Sequence, residues 1–278
     1  MYNILKCQCK LMFSKKNFWI GFFTVTCYAL ASYLVHVKGY YNKDLSQVSD
    51  RRELVCFWTF DSMLKYLDVL FPFLVVLPFS MCYFEDCDSK MLGFWLRRTG
   101  KKKYYTAKAI VSFMGSFLMI AIPFLANLIL VWITFPENGE LNDGPLFSEI
   151  FYHNLNGLHE LGQTYWYPLL YLLMFQPFLY NCLYILLISV LSGVLGVVAY
   201  SVSFFIKKYK LLLLLPIYLF FWVLSMLDTY TDGFTKELFD YVLRGNEFDS
   251  YLYFYCVLGI LVIVSVVLIR RQFKKDVK

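Results

Sequence analysis

Residues 85–108 read EDCDSKMLGFWLRRTGKKKYYTAK, and this charged stretch lies between two long apolar runs. Its basic residues stand mainly in the second half, at Arg97, Arg98, Lys101, Lys102, Lys103 and Lys108. Ahead of them is an apolar group, Met91, Leu92, Phe94 and Trp95. The cations predict a loop on the basic side of a membrane. The apolar group predicts a docking surface as well, because such a cluster outside lipid needs a partner to bury it.

The composition predicts an integral membrane protein. The 278 residues are 59% hydrophobic and 21% aromatic, and the mean hydropathy is +0.56. Soluble domains are nearer half apolar, and here the excess is collected in charge-free blocks long enough to cross a bilayer. No polar stretch is long enough to bury a core of its own. We therefore expect an all-α integral membrane protein in which residues 1–278 form a single polytopic domain.

The apolar runs predict six transmembrane helices, at about residues 18–37, 66–84, 109–135, 178–206, 211–227 and 251–269. The second run contains Pro72 and Pro78, which predict a kink that neighbouring helices tolerate. Residues 1–17 are basic and mildly amphipathic, so we expect an interfacial helix there rather than a disordered tail.

The count of six depends on residues 168–206, which contain no charge. As one helix this stretch would be about 60 Å long, twice the hydrocarbon core. It forms either two spans joined tightly, or an outer half-helix (168–176) broken at Gln176–Pro177 and followed by one long span.

Charge asymmetry favours the single span. In that arrangement residues 1–17, 85–108, 207–210 and 270–278 share one side, and they hold 19 of the 26 Lys and Arg but only four of the 20 Asp and Glu. Because short basic loops stay in the cytoplasm, we predict six spans with both termini cytoplasmic.

Two sets of residues within the spans are candidates for packing or transport. Small residues at four-residue spacing, Ser189 with Gly193 and Ser192 with Gly196, predict a face that packs within the chain or against a second copy; a conduction path is the alternative. Three polar residues lie in apolar runs: Asn127, Gln176 and Asn181. They either form interhelical hydrogen bonds or line a substrate pathway.

The sequence predicts no catalytic site and no metal site. His153, His159 and Glu160 do not form a HExxH motif, and Gly100–Lys101 lacks the spacing of a phosphate-binding loop. The predicted spans contain only His36 and Asp68 as ionisable His or acidic residues, both near outer ends. Nothing in the pattern indicates a nucleic-acid partner.

The arrangement resembles the permease subunits of ATP-binding-cassette exporters of the second type. The local similarity consists of an acid at the end of span two, a short helix, a basic run and a lysine at the start of span three. In this chain the acid is Glu85, the helix Ser89 to Leu96, the basic run Arg97, Arg98 and Lys101 to Lys103, and the lysine Lys108. That family often has a proline and a hydrophobic residue before the basic run, where this chain has Thr99–Gly100.

The resemblance implies a cytoplasmic coupling helix between spans two and three that docks onto a separate ATPase. It assigns the contact to Glu85, Met91, Leu92, Phe94, Trp95, Arg97 and Arg98. It also implies a second permease, identical or homologous, and export of a peptide, drug or other amphipathic substrate across a bacterial cell membrane. This chain would bind no cofactor, since ATP and Mg²⁺ would be held by the ATPase.

Two other classes remain as alternatives. One is a membrane interaction protein, a sensor or immunity subunit that transports nothing. The other is a channel or ion-coupled carrier, which is disfavoured because such proteins place ionisable residues at mid-membrane.

Overall fold

The structure is a computed structural model that describes residues 2–44, 48, 51, 54–56, 64–136, 176–206, 210–230 and 252–275. These residues form helices joined by turns and short irregular segments, with no β-strand among them. In chain order the α-helices are α1 (Tyr2–Ser14), α2 (Lys16–Gly39), α3 (Leu64–Val76), α4 (Cys82–Asp88), α5 (Leu92–Thr99), α6 (Lys101–Thr134), α7 (Pro177–Val202), α8 (Leu214–Tyr230) and α9 (Leu252–Lys275). A 3-10 helix, Lys210–Leu213, leads into α8.

Four of the described helices are long and apolar enough to cross a membrane. They are α2, α6, α7 and, within α9, the segment Tyr253–Lys274. Helix α3 has 13 residues and α8 has 17, so both are shorter than the roughly 20 residues that a span usually needs. The all-helical, multi-pass character predicted from composition is therefore present in the described part of the chain.

The second predicted span is not one continuous helix. Helix α3 continues through Pro72 but stops before Pro78, and a turn separates it from α4. A proline removes a backbone donor and crowds the preceding turn, which leaves carbonyl groups to be satisfied from elsewhere. Near the break, the Ser116 hydroxyl donates to the Val75 carbonyl at 2.9 Å, and the Ser80 hydroxyl donates to the Gly196 carbonyl at 3.1 Å. The first bond satisfies a carbonyl near the end of α3, and the second ties the turn to α7.

Helices α6 and α7 form the centre of the fold. Helix α7 is apolar on all sides and is the most buried of the four long helices. The main apolar core lies between α2, α3, α6 and α7, with Val25, Phe71, Phe124 and Ile188 among its buried residues. Helices α2 and α9 lie at the periphery and expose rows of large apolar side chains, as expected for surfaces that face lipid.

Helix α1 forms where the sequence predicts an interfacial helix, and one of its faces packs on α6. Gln8 and Met12, one turn apart, are both 1% exposed. The Met12 sulfur lies so close to Gly115 that a Cβ atom on this glycine would come within 2.7 Å of it. One side of α1 is therefore fixed to the protein, and its other side is left exposed.

Some predicted features lie outside the described residues. They include the outer half-helix up to residue 175 and the basic residues Lys207 and Lys208. The metal candidates His153, His159 and Glu160 also lie there.

Candidate functional site

The resemblance points to the hairpin made of α4 and α5, and the backbone geometry at its two ends explains its shape. Between the helices, Lys90 takes the left-handed conformation with φ 58° and turns the chain. After α5, Gly100 has φ 78° and ψ 141° and serves as both the C-cap of α5 and the N-cap of α6. Only glycine adopts this combination of positive φ and extended ψ without strain. Gly100, at the position where the chain departs from the family pattern, is what allows α6 to begin at Lys101.

Helix α5 has two different faces. Leu92, Trp95 and Leu96 are half-buried and pack against the chain's own apolar cluster beneath the hairpin. Met91 and Phe94 point away from the protein and are 44% and 51% exposed. The structure therefore divides the predicted docking group into an inward set and an outward set.

Two arginines extend the outward face. Arg97 and Arg98 are exposed in the last turn of α5, where their charge is favourable to the helix dipole. The Arg98 guanidinium lies 5.9 Å from the centre of the Phe94 ring. We call the exposed residues Met91, Phe94, Arg97 and Arg98 the outer face of α5. It offers both apolar area and positive charge to a partner.

The hairpin is anchored to α6 by a buried ion pair. The Lys108 ammonium lies 2.5 Å from Asp86 Oδ2, and the two side chains are 2% and 20% exposed. The ammonium also donates to the Cys82 carbonyl at 3.1 Å, and the Tyr104 hydroxyl donates to the same Asp86 oxygen. The rings of Tyr104 and Phe79 lie 5.0 and 5.7 Å from the ammonium. A lysine buried this deeply requires its counter-charge and its hydrogen bonds to remain in place.

A second, more exposed ion pair joins the hairpin to the start of α2. Lys15, the residue between α1 and α2, pairs with Glu85, and the two side chains are 25% and 31% exposed. The Lys15 ammonium also lies 4.8 Å from the centre of the Phe79 ring. The adjacent acids Glu85 and Asp86 thus bind two different parts of the chain.

Aromatic side chains form a layer below the hairpin. Tyr83 of α4 packs edge-on against Phe204 at 4.8 Å, and Tyr105 of α6 lies 5.6 Å from both Phe204 and Phe273. The Gln272 amide of α9 donates to the Tyr83 hydroxyl at 3.2 Å. This layer connects the hairpin to α6, α9 and the end of α7.

No protein-family model matches this chain, and neither does any curated protein or solved structure.

The small residues of α7 pack against α6. A Cβ atom on Gly193 would lie 2.6 Å from the Phe113 ring, and one on Gly196 would lie 2.3 Å from Ser116 Oγ. The Ser192 hydroxyl donates to the Ser116 carbonyl at 3.0 Å, whereas the Ser189 hydroxyl donates within its own helix to Ile185 at 2.6 Å. These contacts place the face within the chain, which is one of the two packing arrangements that the spacing predicts.

The three candidate pathway residues occupy different environments. Asn127 is 1% exposed; its amide nitrogen donates to the Ala29 carbonyl at 2.8 Å, and its oxygen accepts from the Cys56 backbone at 3.2 Å. It therefore acts as an interhelical link. Asn181 is buried in the first turns of α7, and Gln176 is the exposed N-cap residue immediately before Pro177. The three side chains therefore differ in exposure.

Sequence reasoning overlooked three residues that anchor the hairpin to the rest of the chain: Asp86 of α4, Tyr104 of α6, and Lys15 ahead of α2. It selected Glu85 as the relevant acid, whereas the buried Lys108 binds Asp86. Tyr104 and Lys108 are four residues apart and therefore share a face of α6, a spacing that points to a common partner. The pairing of Lys15 with Glu85 joins residues 70 positions apart, which no local pattern reveals.

Cys87 lies near the end of α4. The pKa of the Cys87 thiol is raised, mainly because the surrounding protein displaces water from the sulfur, although a hydrogen bond from Tyr83 opposes this effect. Within the described residues, no group of three His, Cys, Asp or Glu side chains is arranged to hold a metal ion.

Proposed function

We propose that this chain is the membrane-spanning permease subunit of an ATP-driven exporter, and that the outer face of α5 is where a cytoplasmic ATPase docks. The observation that carries the proposal is the outward pair Met91 and Phe94, exposed on a helix outside the apolar core. Two large apolar side chains exposed together on an eight-residue helix form a surface that a partner would cover. Its flanking arginines would pair with carboxylates on that partner.

The proposed topology has six spans with both termini in the cytoplasm. The four long helices would be four of the spans, α3 with the turn before α4 would be the second, and α8 would be the fifth. An even number of spans keeps α1, the hairpin and the basic end of α9 on one side. Compared with the arrangement that has two spans within residues 168–206, six spans leave fewer basic residues on the outer side.

In this proposal the chain itself performs no hydrolysis and binds no cofactor. ATP and Mg²⁺ are held by the ATPase, and a second permease copy or homologue supplies the other half of the pathway. Movement of the ATPase is transmitted through α5 to α4 and, by the Asp86–Lys108 pair, to α6. Alternating between inward- and outward-facing states is a rigid-body switch of the kind that packed helices support. The substrate class we propose is a peptide, drug or other amphipathic molecule leaving a bacterial cell.

The test is affinity purification of the chain from its own membrane in mild detergent. We expect an ATPase and a second permease to co-purify with the wild-type chain. Phe94→Asp should remove the ATPase, because it places a carboxylate in the apolar contact while leaving the chain's own core intact. Tyr41→Asp is the matched control: it changes an aromatic residue that is 75% exposed at the other end of α2.

Trp95→Asp is expected to uncouple transport and loosen ATPase binding, but Phe94→Asp is the sharper probe. Trp95 is half-buried against the protein, so its replacement also disturbs the cluster below the hairpin. Recovery of the same ATPase with wild-type and Phe94→Asp chains would refute the docking assignment. Recovery of the chain without any ATPase would instead favour a sensor or immunity subunit.

A further inference from the structure

The exposed side of α1 carries an ordered row of basic and aromatic residues. Tyr2, Lys6 and Lys10 follow one another at four-residue spacing, and Phe13 comes three residues later. All four are exposed, with Tyr2 and Phe13 at 75% and 43%. The buried Gln8 and Met12 occupy the opposite side of the helix and pack on the protein, so this row faces away from the fold.

The charges of this row lack a partner within the described chain. Helix α1 contains no acidic residue, and neither Lys6 nor Lys10 forms an ion pair with any residue that the structure describes. Like charges four residues apart on a helix repel, and their Cβ atoms are about 5–6 Å apart. One anionic group placed between the two ammonium groups would relieve the repulsion and bind both.

The aromatic residues at the α1–α2 corner indicate where that anion comes from. The rings of Phe13 and Trp19 each pack edge-on against Phe18, at 5.1 and 5.6 Å, and the Trp19 indole donates to the Phe13 carbonyl at 2.8 Å. Phe13, Trp19 and Phe23 are exposed by 42–59%. Clusters of aromatic residues at the end of a span lie at the level of the lipid headgroups.

We infer that the exposed row of α1 is a binding site for the headgroup of an anionic phospholipid. The phosphate lies between Lys6 and Lys10, and Tyr2 and Phe13 insert at the edge of the acyl chains. The inference requires that the basic end of the chain lies at a bilayer surface, but it does not require an ATPase. Lys15, which follows α1, pairs with Glu85 of the hairpin, so a headgroup held by α1 lies next to the element proposed to dock the partner.

The test uses native mass spectrometry of the purified chain titrated with phosphatidylglycerol in detergent. A basic residue near an anionic surface contributes about fivefold to binding, so Lys6→Gln with Lys10→Gln should weaken retention of the first lipid about 25-fold. Lys38→Gln with Lys43→Gln is the control, because it removes the same charge at the other end of α2. It should leave the affinity unchanged, and Lys6→Arg with Lys10→Arg should preserve it.

Phosphatidylcholine and inorganic phosphate are the comparison ligands. We expect the wild-type chain to retain phosphatidylglycerol in preference to phosphatidylcholine, and free phosphate at equal concentration not to displace it. Equal retention of the two lipids would overturn the inference even if a variant failed to fold. Equal losses in the two glutamine variants, or displacement by free phosphate, would also overturn it. None of these results depends on recovering an ATPase, so they leave the proposed function to its own test.

Discussion

The buried ion pair between Asp86 and Lys108 gives the sharpest prediction about stability. Asp86→Asn keeps the size of the side chain but removes the charge opposite an ammonium that is 2% exposed. Removing one member of a buried pair usually costs about 3–5 kcal/mol, since the other charge remains in a poorly solvated place. The Cys82 carbonyl still accepts a hydrogen bond from Lys108, so we expect a loss near the lower end, about 3 kcal/mol.

The adjacent acid provides the matched control. Glu85→Gln makes the same chemical change one residue earlier, in a pair whose side chains are 25% and 31% exposed. Pairs that contact water contribute about 0–1 kcal/mol. For a chain of this size, each kcal/mol moves the unfolding midpoint by about 2–4 °C. We therefore expect Asp86→Asn to lower the midpoint by about 6–12 °C and Glu85→Gln by less than about 4 °C.

The assay is the thermal unfolding midpoint of the purified chain in detergent, measured by size-exclusion chromatography after heating. A double variant separates charge from packing: Asp86→Asn with Lys108→Met removes both charges and should recover most of the lost stability. Equal shifts for Asp86→Asn and Glu85→Gln would refute the reasoning. So would a double variant less stable than Asp86→Asn alone.

Three further predictions concern other parts of the chain. Gly196→Ala should destabilise the chain by about 1–3 kcal/mol, because the new Cβ would lie 2.3 Å from Ser116 Oγ. Gly259→Ala is the control: a Cβ there would have nothing within 4 Å, so the same thermal assay should show no change or a gain of up to about 1 kcal/mol. Gln8→Met should stabilise by about 1–3 kcal/mol, since both amide atoms of Gln8 are buried with no partner within the described residues; a lower midpoint would contradict this. Because the pKa of Cys87 is raised, its rate of labelling by a maleimide reagent at neutral pH should be lower than that of an unhindered thiol. The rate should keep rising through alkaline pH as the thiolate forms. A rate that levels off near neutral pH would show that the pKa is lowered instead.

Hydropathy located most of the helices but not all of their ends. The predicted third span begins at residue 109, whereas α6 begins at Lys101, because hydropathy detects the apolar segment and not the helix that continues beyond it. The second span was harder to predict. Pro72 and Pro78 look alike in sequence, but the helix breaks only near Pro78, where the Ser116 hydroxyl donates to the Val75 carbonyl and the Ser80 hydroxyl joins the turn to α7. Those partners depend on tertiary contacts, so local pattern alone does not reveal which proline ends the helix.

The hairpin shows a different limit. Leu92, Trp95 and Leu96 follow the i, i+3, i+4 spacing of one helix face, but Met91, Phe94 and Trp95 follow the same spacing, so only the packing shows which set faces the protein. The sequence therefore left Leu92 and Trp95 grouped with Met91 and Phe94 as one docking surface, and the structure divides them. The sequence could not show which of Glu85 and Asp86 pairs with Lys108. Neighbouring residues on a helix point about 100° apart, and only the packing decides which of them reaches the lysine.

The unequal strength of the two ion pairs has a consequence for how the hairpin would move. The Asp86–Lys108 pair is buried and also bonded to Tyr104 and the Cys82 carbonyl, so α4 and α6 should move as one body. The Lys15–Glu85 pair is partly exposed, and separating it costs little because water can solvate both charges. A displacement imposed on α5 by a partner would therefore pass into α6 and on to α7, because Gly193 and Gly196 of α7 are in close contact with α6. Helix α1 packs on α6 through Met12 and would follow its movement. In the proposed transporter, the buried pair therefore carries force into the membrane, whereas the exposed pair contributes little to the coupling.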